Sequence, residues 1–289
     1  MTRTLIIILL TFVCQHILAN RIDNLKTDAD VVEFLKSTNA DFRSPGLNKI
    51  ELRSSEILRQ DLNCNGLAEK WQIKNWEKAD FNQDGLTDLV VMLYWYDYGV
   101  YVIMDNGKNN FQLHTLSYNI YEKCELAKPI LSNGQQLLLF SEKKIIDTLA
   151  YKYYGFVELN RHPSVYDIDS IEFRTGSCFN NCPVFSIKLG KDRNAVYEGG
   201  MYNPKQGKFT ATLEYDKSQA IFDLVNYLSV KKLNDSYRVS WTDDQTCWLR
   251  IKFTDGTVKE IKDYGLKGTF GLRLIYSIFL DLRVSQNWK

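Results

Sequence analysis

The sequence predicts an α+β fold, mainly antiparallel β, in which two domains carry helices packed on sheets. Aromatic residues make up 13% of the 289-residue chain, which has 17 Tyr and only 5 Pro, and this composition favours pleated, half-buried strands over disorder. A chain of this length can bury one large core or two modest ones. We expect two, because residues 160–169 are polar, include Pro163 and lose the apolar periodicity of their flanks.

The first residues have the layout of a secretory signal. A cationic start at Arg3 precedes an apolar run over residues 5–13, and Ala19 ends the segment. The run is shorter than the roughly 20 residues that a spanning helix needs, although an acylated Cys14 is an alternative. We therefore expect export to the periplasm or medium, no membrane span in the mature chain, and domains over residues 20–160 and 161–289.

Periodicity predicts the elements in chain order. Thr27 with Asp30 three residues later predicts a capped helix. Strand patterns follow from Leu89 as a meander and resume in the second half. Helical spacing predicts helices over residues 218–228 and 272–282, and Asp255-Gly256 predicts a hairpin turn.

Charge excludes two classes of partner. The 36 basic and 35 acidic residues give a net charge of +1, which creates no long-range field for nucleic acid or an anionic membrane surface.

Side-chain oxygens alternate in the loop DFNQDGLTD, residues 80–88. Calcium takes six to eight oxygen ligands, and alternate residues of a tight loop can point theirs inward. The predicted ligands are the side chains of Asp80, Asn82, Asp84 and Asp88 and the backbone carbonyl of Leu86. The alternative is a polar turn whose Asp and Asn side chains bond to their own backbone.

The twelfth position of this loop argues against an EF-hand, because it is Val91 rather than an acidic residue. A strand pattern follows, so we expect the loop to enter a β-hairpin. Residues 78–91 resemble the calcium hairpin of FG-GAP and VCBS repeats, and the resemblance implies a structural calcium ion. Without further copies at a fixed period, we expect one blade-like unit or an isolated hairpin rather than a propeller.

A second loop has the same spacing but only two carboxylates, so it should attract calcium less strongly. Its candidate ligands are Asp61, Asn63, Asn65 and Glu69. The alternative is a turn of similar shape.

The cysteines fit an exported protein. Cys178 and Cys182 stand four residues apart between strand patterns and predict a structural disulfide, with a redox-active pair as the alternative. Cys64 and Cys124 are candidates for a second bridge, although no spacing rule supports the pairing. Cys247 lies in a strand pattern and is expected to be a buried free thiol.

The second half resembles an uncharacterised family of exported bacterial domains, often from the Bacteroidetes. The resemblance covers about residues 170–281. It implies a location in the cell envelope but no activity. The matching residues are Arg174, Cys178, Cys182, Pro183, Val184 and Phe185, with Tyr197–Gly199 and the hairpin ending at Gly265.

Catalytic signals are sparse. Only His114 and His162 would remain after signal removal, and no motif of a nucleophilic, metal-dependent or nucleotide-binding enzyme occurs. We therefore expect a non-enzymatic binding module, stabilised by calcium and disulfide, whose partner is a protein or glycan of the envelope. The alternatives are a hydrolase with an unrecognised acidic site, or a thiol redox protein using Cys178 and Cys182.

Overall fold

The computed structural model describes residues 20–43, 50–95, 97–117, 124–142 and 145–289. The predicted signal segment, residues 1–19, lies outside the described residues. Across the described ranges, no helix combines the length and apolarity needed to cross a membrane.

Five α-helices occur in the described chain, and a capping box begins the first. The Thr27 side chain accepts a hydrogen bond from the Asp30 N–H, and the Asp30 carboxylate accepts one from the Thr27 N–H, as predicted. The helices are α1 Asp28–Thr38, α2 Ser55–Asp61, α3 Leu67–Lys70, α4 Tyr215–Tyr227 and α5 Phe270–Ser285. Short 3-10 helices span Ala40–Arg43, Cys64–Gly66 and Val230–Lys232.

Two four-stranded antiparallel sheets form in sequence order, each a meander. The first contains β1 Trp76–Ala79, β2 Asp88–Trp95, β3 Asp97–Asp105 and β4 Phe111–Thr115. The second contains β5 Leu126–Ser132, β6 Gln135–Glu142, β7 Ile145–Lys152 and β8 Gly155–Glu158. They share one core cluster, to which Met92 and Val102 contribute from the first sheet and Leu138 and Phe156 from the second.

A third, seven-stranded sheet occupies the second half, in the order β12-β11-β10-β9-β14-β15-β13. Neighbours are antiparallel except β13 and β15, which are parallel. Its strands are β9 Ile168–Thr175, β10 Phe185–Gly190, β11 Asn194–Gly199, β12 Gly207–Thr212, β13 Ser236–Arg238, β14 Thr246–Phe253 and β15 Val258–Tyr264.

Helices cover one face of this third sheet. Phe173 of β9 stacks on Tyr276 and Phe279 of α5, with ring centroids 5.5 Å apart in both pairs. The opposite face carries exposed charged side chains, such as Arg174 and Arg250. One face of the sheet therefore builds the core while the other meets solvent.

The predicted α+β class is wrong, because strands hold 38% of the residues and helices 24%, which makes the fold mostly β. The helices that periodicity predicted do form. One face of the first sheet shares a core with the second sheet, and its other face packs against Val31, Phe34 and Leu35 of α1. The two-domain arrangement is not established either. Val157 of the first half belongs to the core of the second, and Phe270 of the second belongs to the core of the first.

β8 and α5 join the two halves of the chain. The Glu158 carboxylate accepts hydrogen bonds from the Phe270 N–H and, at 3.0 Å, from the Gly271 N–H. These amides begin α5 and have no partner within the helix. Beside them, a cavity of about 320 Å³ is lined by His114, Phe156 and other mostly apolar side chains.

Candidate functional site

Two loops meet at one end of the third sheet. The disulfide loop, residues 176–184, joins β9 to β10, and the β11–β12 loop, residues 200–206, joins the next pair. They are bonded directly: the Val184 N–H donates to the Met201 carbonyl at 3.0 Å, and the Gly200 N–H donates to the Val184 carbonyl at 2.8 Å. These bonds hold the two loops together where they leave the sheet.

A disulfide and a buried side chain hold the disulfide loop in place. Cys178 and Cys182 are disulfide-bonded, with their Cα atoms 5.7 Å apart, as the sequence predicted. Below them the buried Gln245 side chain donates to the carbonyls of Gly176 and Pro183, at 2.8 and 2.9 Å. These constraints leave the loop little conformational freedom to lose on binding.

Three large apolar side chains are exposed at this end of the sheet. Phe179, at the tip of the disulfide loop, is 83% exposed, while Met201 and Tyr202 are 56% and 53% exposed. The amide of Asn203 holds the second loop in place by donating to the carbonyls of Val184 and Met201, at 2.7 and 2.9 Å. Phe179, Met201 and Tyr202 are called the apolar patch below.

A groove of about 490 Å³ runs from these loops along the solvent face of the sheet. The guanidinium of Arg174 lies over the Trp248 ring at 4.7 Å and lines the groove with exposed N–H donors. Across it, Lys208 pairs with Glu198 at 3.1 Å. Gly199 is part of its lining, where a Cβ atom would stand 2.1 Å from the Lys205 carbonyl oxygen.

The loop at Asp80 connects β1 to β2, with Ala79 opposite Asp88, so the predicted hairpin is confirmed. The Asp80 carboxylate accepts from the N–H groups of Asp84 and Gly85, at 3.2 and 3.0 Å. Asp84 in turn accepts from Leu86 at 2.8 Å.

Asp88 is the buried member of this loop and is fully enclosed. Burial, together with the nearby charges of Asp80 and Asp84, raises the pKa of its carboxyl to about 7, although hydrogen bonds from the Phe81 and Asp105 amides oppose this rise. The loop therefore concentrates carboxylate oxygens of the kind calcium takes. Within the described ranges, however, no three His, Cys, Asp or Glu side chains converge closely enough to hold a metal ion.

Side chains of the second candidate loop, those of Asp61, Asn63 and Glu69, bond to other groups. Asp61 ends α2 and accepts from Arg53 at 2.8 Å and from the Tyr98 hydroxyl at 2.7 Å. Asn63 bonds to the Gly66 N–H, Asn65 has a left-handed backbone, and Glu69 lies in α3, where it pairs with Arg59 at 3.2 Å. The spacing of the polar residues did not predict these helices, because the same residue types occur both in polar loops and in short helices that follow a 3-10 turn.

Two carboxylates of the second half, Asp169 and Asp244, make local contacts. Asp169 pairs with Lys252 at 3.1 Å, which lowers the pKa of that carboxyl. Asp244 accepts from the indole N–H of Trp241 at 3.0 Å. Cys247 is a fully buried free thiol, as predicted.

These features describe a mostly β protein that presents a constrained apolar loop at the end of an open sheet. The sequence model of one family, described as a domain of unknown function (DUF6438), matches residues 169–283, which are less than half of the chain. That region holds the disulfide loop, the groove and most of α5, and the match confirms the prediction of a domain of unknown function in the second half. No curated protein and no solved structure matches the chain.

Proposed function

We propose that the chain is a non-enzymatic binding module that uses the apolar patch and the adjoining groove to hold another protein. The observation that carries this proposal is Phe179: an apolar ring 83% exposed at the tip of a loop that a disulfide and a buried glutamine fix in place. Exposing such a ring to water is unfavourable for the isolated chain. A rigid apolar anchor is, in contrast, the kind of side chain that dominates protein interfaces.

The residue types favour a protein over a glycan as the partner. Aromatic residues, Met and Arg are enriched in protein interfaces, and Phe179, Met201, Tyr202 and Arg174 stand on this surface. The guanidinium of Arg174, oriented by the Trp248 ring, can hold a carboxylate with two hydrogen bonds. The partner segment should therefore carry an apolar side chain and an acidic residue near each other.

Comparative capture tests this function. The partner is recovered from an envelope extract of the source cells on immobilised protein, and recovery on the wild type is compared with that on Phe179→Ser and Tyr154→Ser. Tyr154 is 78% exposed but lies between β7 and β8, so it is the matched control. Recovery should fall at least tenfold for Phe179→Ser only. Equal recovery on all three proteins, or recovery of a glycan alone, would overturn the proposal.

The proposal includes an exported chain with a structural calcium ion in the β1–β2 loop. Asp80, Asn82, Asp84, Asp88 and the Leu86 carbonyl would hold the ion, whose charge would offset the repulsion among the carboxylates. The burial of Asp88 supports this assignment, because a buried carboxylate favours a cation beside it. The ion would anchor the hairpin and take no part in binding.

Chelation is expected to lower the melting temperature by about 5 °C or more, because an ion that binds only the folded state stabilises it by mass action. Asp84→Ala should remove this calcium dependence. Asp255→Ala, which alters the other Asp-Gly hairpin turn, should keep it. Calorimetric melting with calcium and with chelator measures the difference, and identical melting curves for the wild type would refute the calcium assignment.

A further inference from the structure

Cys64 and Cys124 lie side by side in the fold although 60 positions separate them in the chain. Burial and, in addition, the Cys124 side chain raise the pKa of the Cys64 thiol, so the two thiols lie close enough to interact. Cys64 begins the 3-10 helix between α2 and α3, and Cys124 stands two residues before β5. Both are free thiols in this structure.

Independent contacts hold the two segments together. The Lys128 ammonium of β5 donates to the Trp71 carbonyl at the end of α3, at 2.6 Å. Cys64 and Trp71 pack against the same core cluster that contains Leu126. The two segments therefore run alongside each other over several residues, and the thiol contact is part of a packed interface.

No other described cysteine competes for either thiol. Cys178 and Cys182 are bonded to each other, and Cys247 is enclosed in the core cluster of the third sheet. From this arrangement we propose that Cys64 and Cys124 form a second disulfide, which cross-links the α2–α3 segment to the sheet that begins with β5.

The bond forms by thiol–disulfide exchange with a small-molecule disulfide such as oxidised glutathione or with an oxidoreductase. Two S–H bonds of the protein are lost and one S–S bond forms, while the S–S bond of the oxidant accepts two electrons and two protons to give two thiols. Burial raises the pKa of the Cys64 thiol above its ordinary value, so the reactive thiolate is scarce once the chain has folded. Oxidation should consequently be faster during folding than afterwards.

Peptide mapping of the full chain tests the bond. The protein is refolded with oxidised and reduced glutathione, blocked with an alkylating reagent, digested without reduction and analysed by mass spectrometry. A linked peptide pair containing Cys64 and Cys124 should dominate. Cys64→Ser and Cys124→Ser should each expose one additional alkylated thiol, whereas Cys247→Ser should leave the linked pair unchanged.

Two outcomes would overturn the second disulfide. One is recovery of Cys64 and Cys124 both alkylated while Cys178 and Cys182 remain bonded, and the other is linkage of either one to Cys247. Reduction supplies an independent measure, because a bond that closes a loop of about 60 residues should raise the melting temperature by roughly 5 to 10 °C. Cys124→Ser cannot form this bond, so the same treatment should leave its melting temperature unchanged as long as the Cys178–Cys182 disulfide stays intact.

Discussion

Glu158→Ala is expected to lower the free energy of unfolding by about 3 kcal/mol, since two amides at the start of α5 would lose their acceptor. The carboxylate of Glu158 accepts from Phe270 and Gly271, both on the opposite half of the chain. Burial raises the pKa of this carboxyl, so the charged form is opposed by desolvation and supported by the helix N-terminus. Removing the side chain would leave the amides unsatisfied beside the core. Denaturant unfolding of the wild type and the variant measures the change.

An exposed glutamate provides the control for this experiment. Glu198 pairs with Lys208 at the surface, and pairs of this kind contribute little to stability. Glu198→Ala should therefore change the free energy of unfolding by less than about 0.5 kcal/mol. If Glu158→Ala were no more destabilising than Glu198→Ala, the β8–α5 contact would not be the junction described above.

His114 is expected to make the folded protein sensitive to acid. Burial lowers the pKa of His114 to about 4 from an ordinary value of 6.5. The unfolded chain therefore takes up a proton before the folded chain does, so the stability present above pH 6.5 is lost as the pH falls towards 4. The loss should be on the order of 2 to 3 kcal/mol.

His114→Phe should remove most of this acid sensitivity and keep the edge contacts with Tyr151 and Phe156, which are 5.5 and 5.8 Å from the His114 ring centre. The substitution should also remove the cost of the buried Nε2 atom, which has no hydrogen-bond partner within the described ranges. The exposed His162 supplies the control, because His162→Gln should retain the wild-type profile. Denaturant midpoints from pH 4 to pH 7 would contradict this account if the wild type and His114→Phe lost stability in parallel.

Local chemistry was predictable from the sequence, whereas the assembly of the sheets was not. The capping box at Thr27, the disulfide at Cys178 and the helical face of α5 each depend on residues close in the chain, so spacing identifies them. The first two sheets pack against each other, Val157 belongs to the core of the second half, and Phe270 belongs to the core of the first. These arrangements depend on contacts between residues far apart in the chain. No local periodicity encodes those contacts.

The binding surface was only partly predictable for the same reason. Sequence spacing located the disulfide loop, but the exposure of Phe179 depends on how β9 and β10 are paired. Phe179 lies on one loop and Met201 and Tyr202 lie on another, and the bond from Val184 to Met201 joins these two strand connections. The support from Gln245 comes from a third, more distant segment.

Calorimetric titration of the purified partner tests the binding function most directly. The captured protein is titrated into the wild type, Phe179→Ser, Arg174→Ala and the control Tyr154→Ser. The wild type and the control should bind with equal affinity, and Phe179→Ser and Arg174→Ala should each weaken binding at least tenfold, which corresponds to about 1.4 kcal/mol. Unchanged affinity in both surface variants, with their folds intact, would contradict the assignment of this surface.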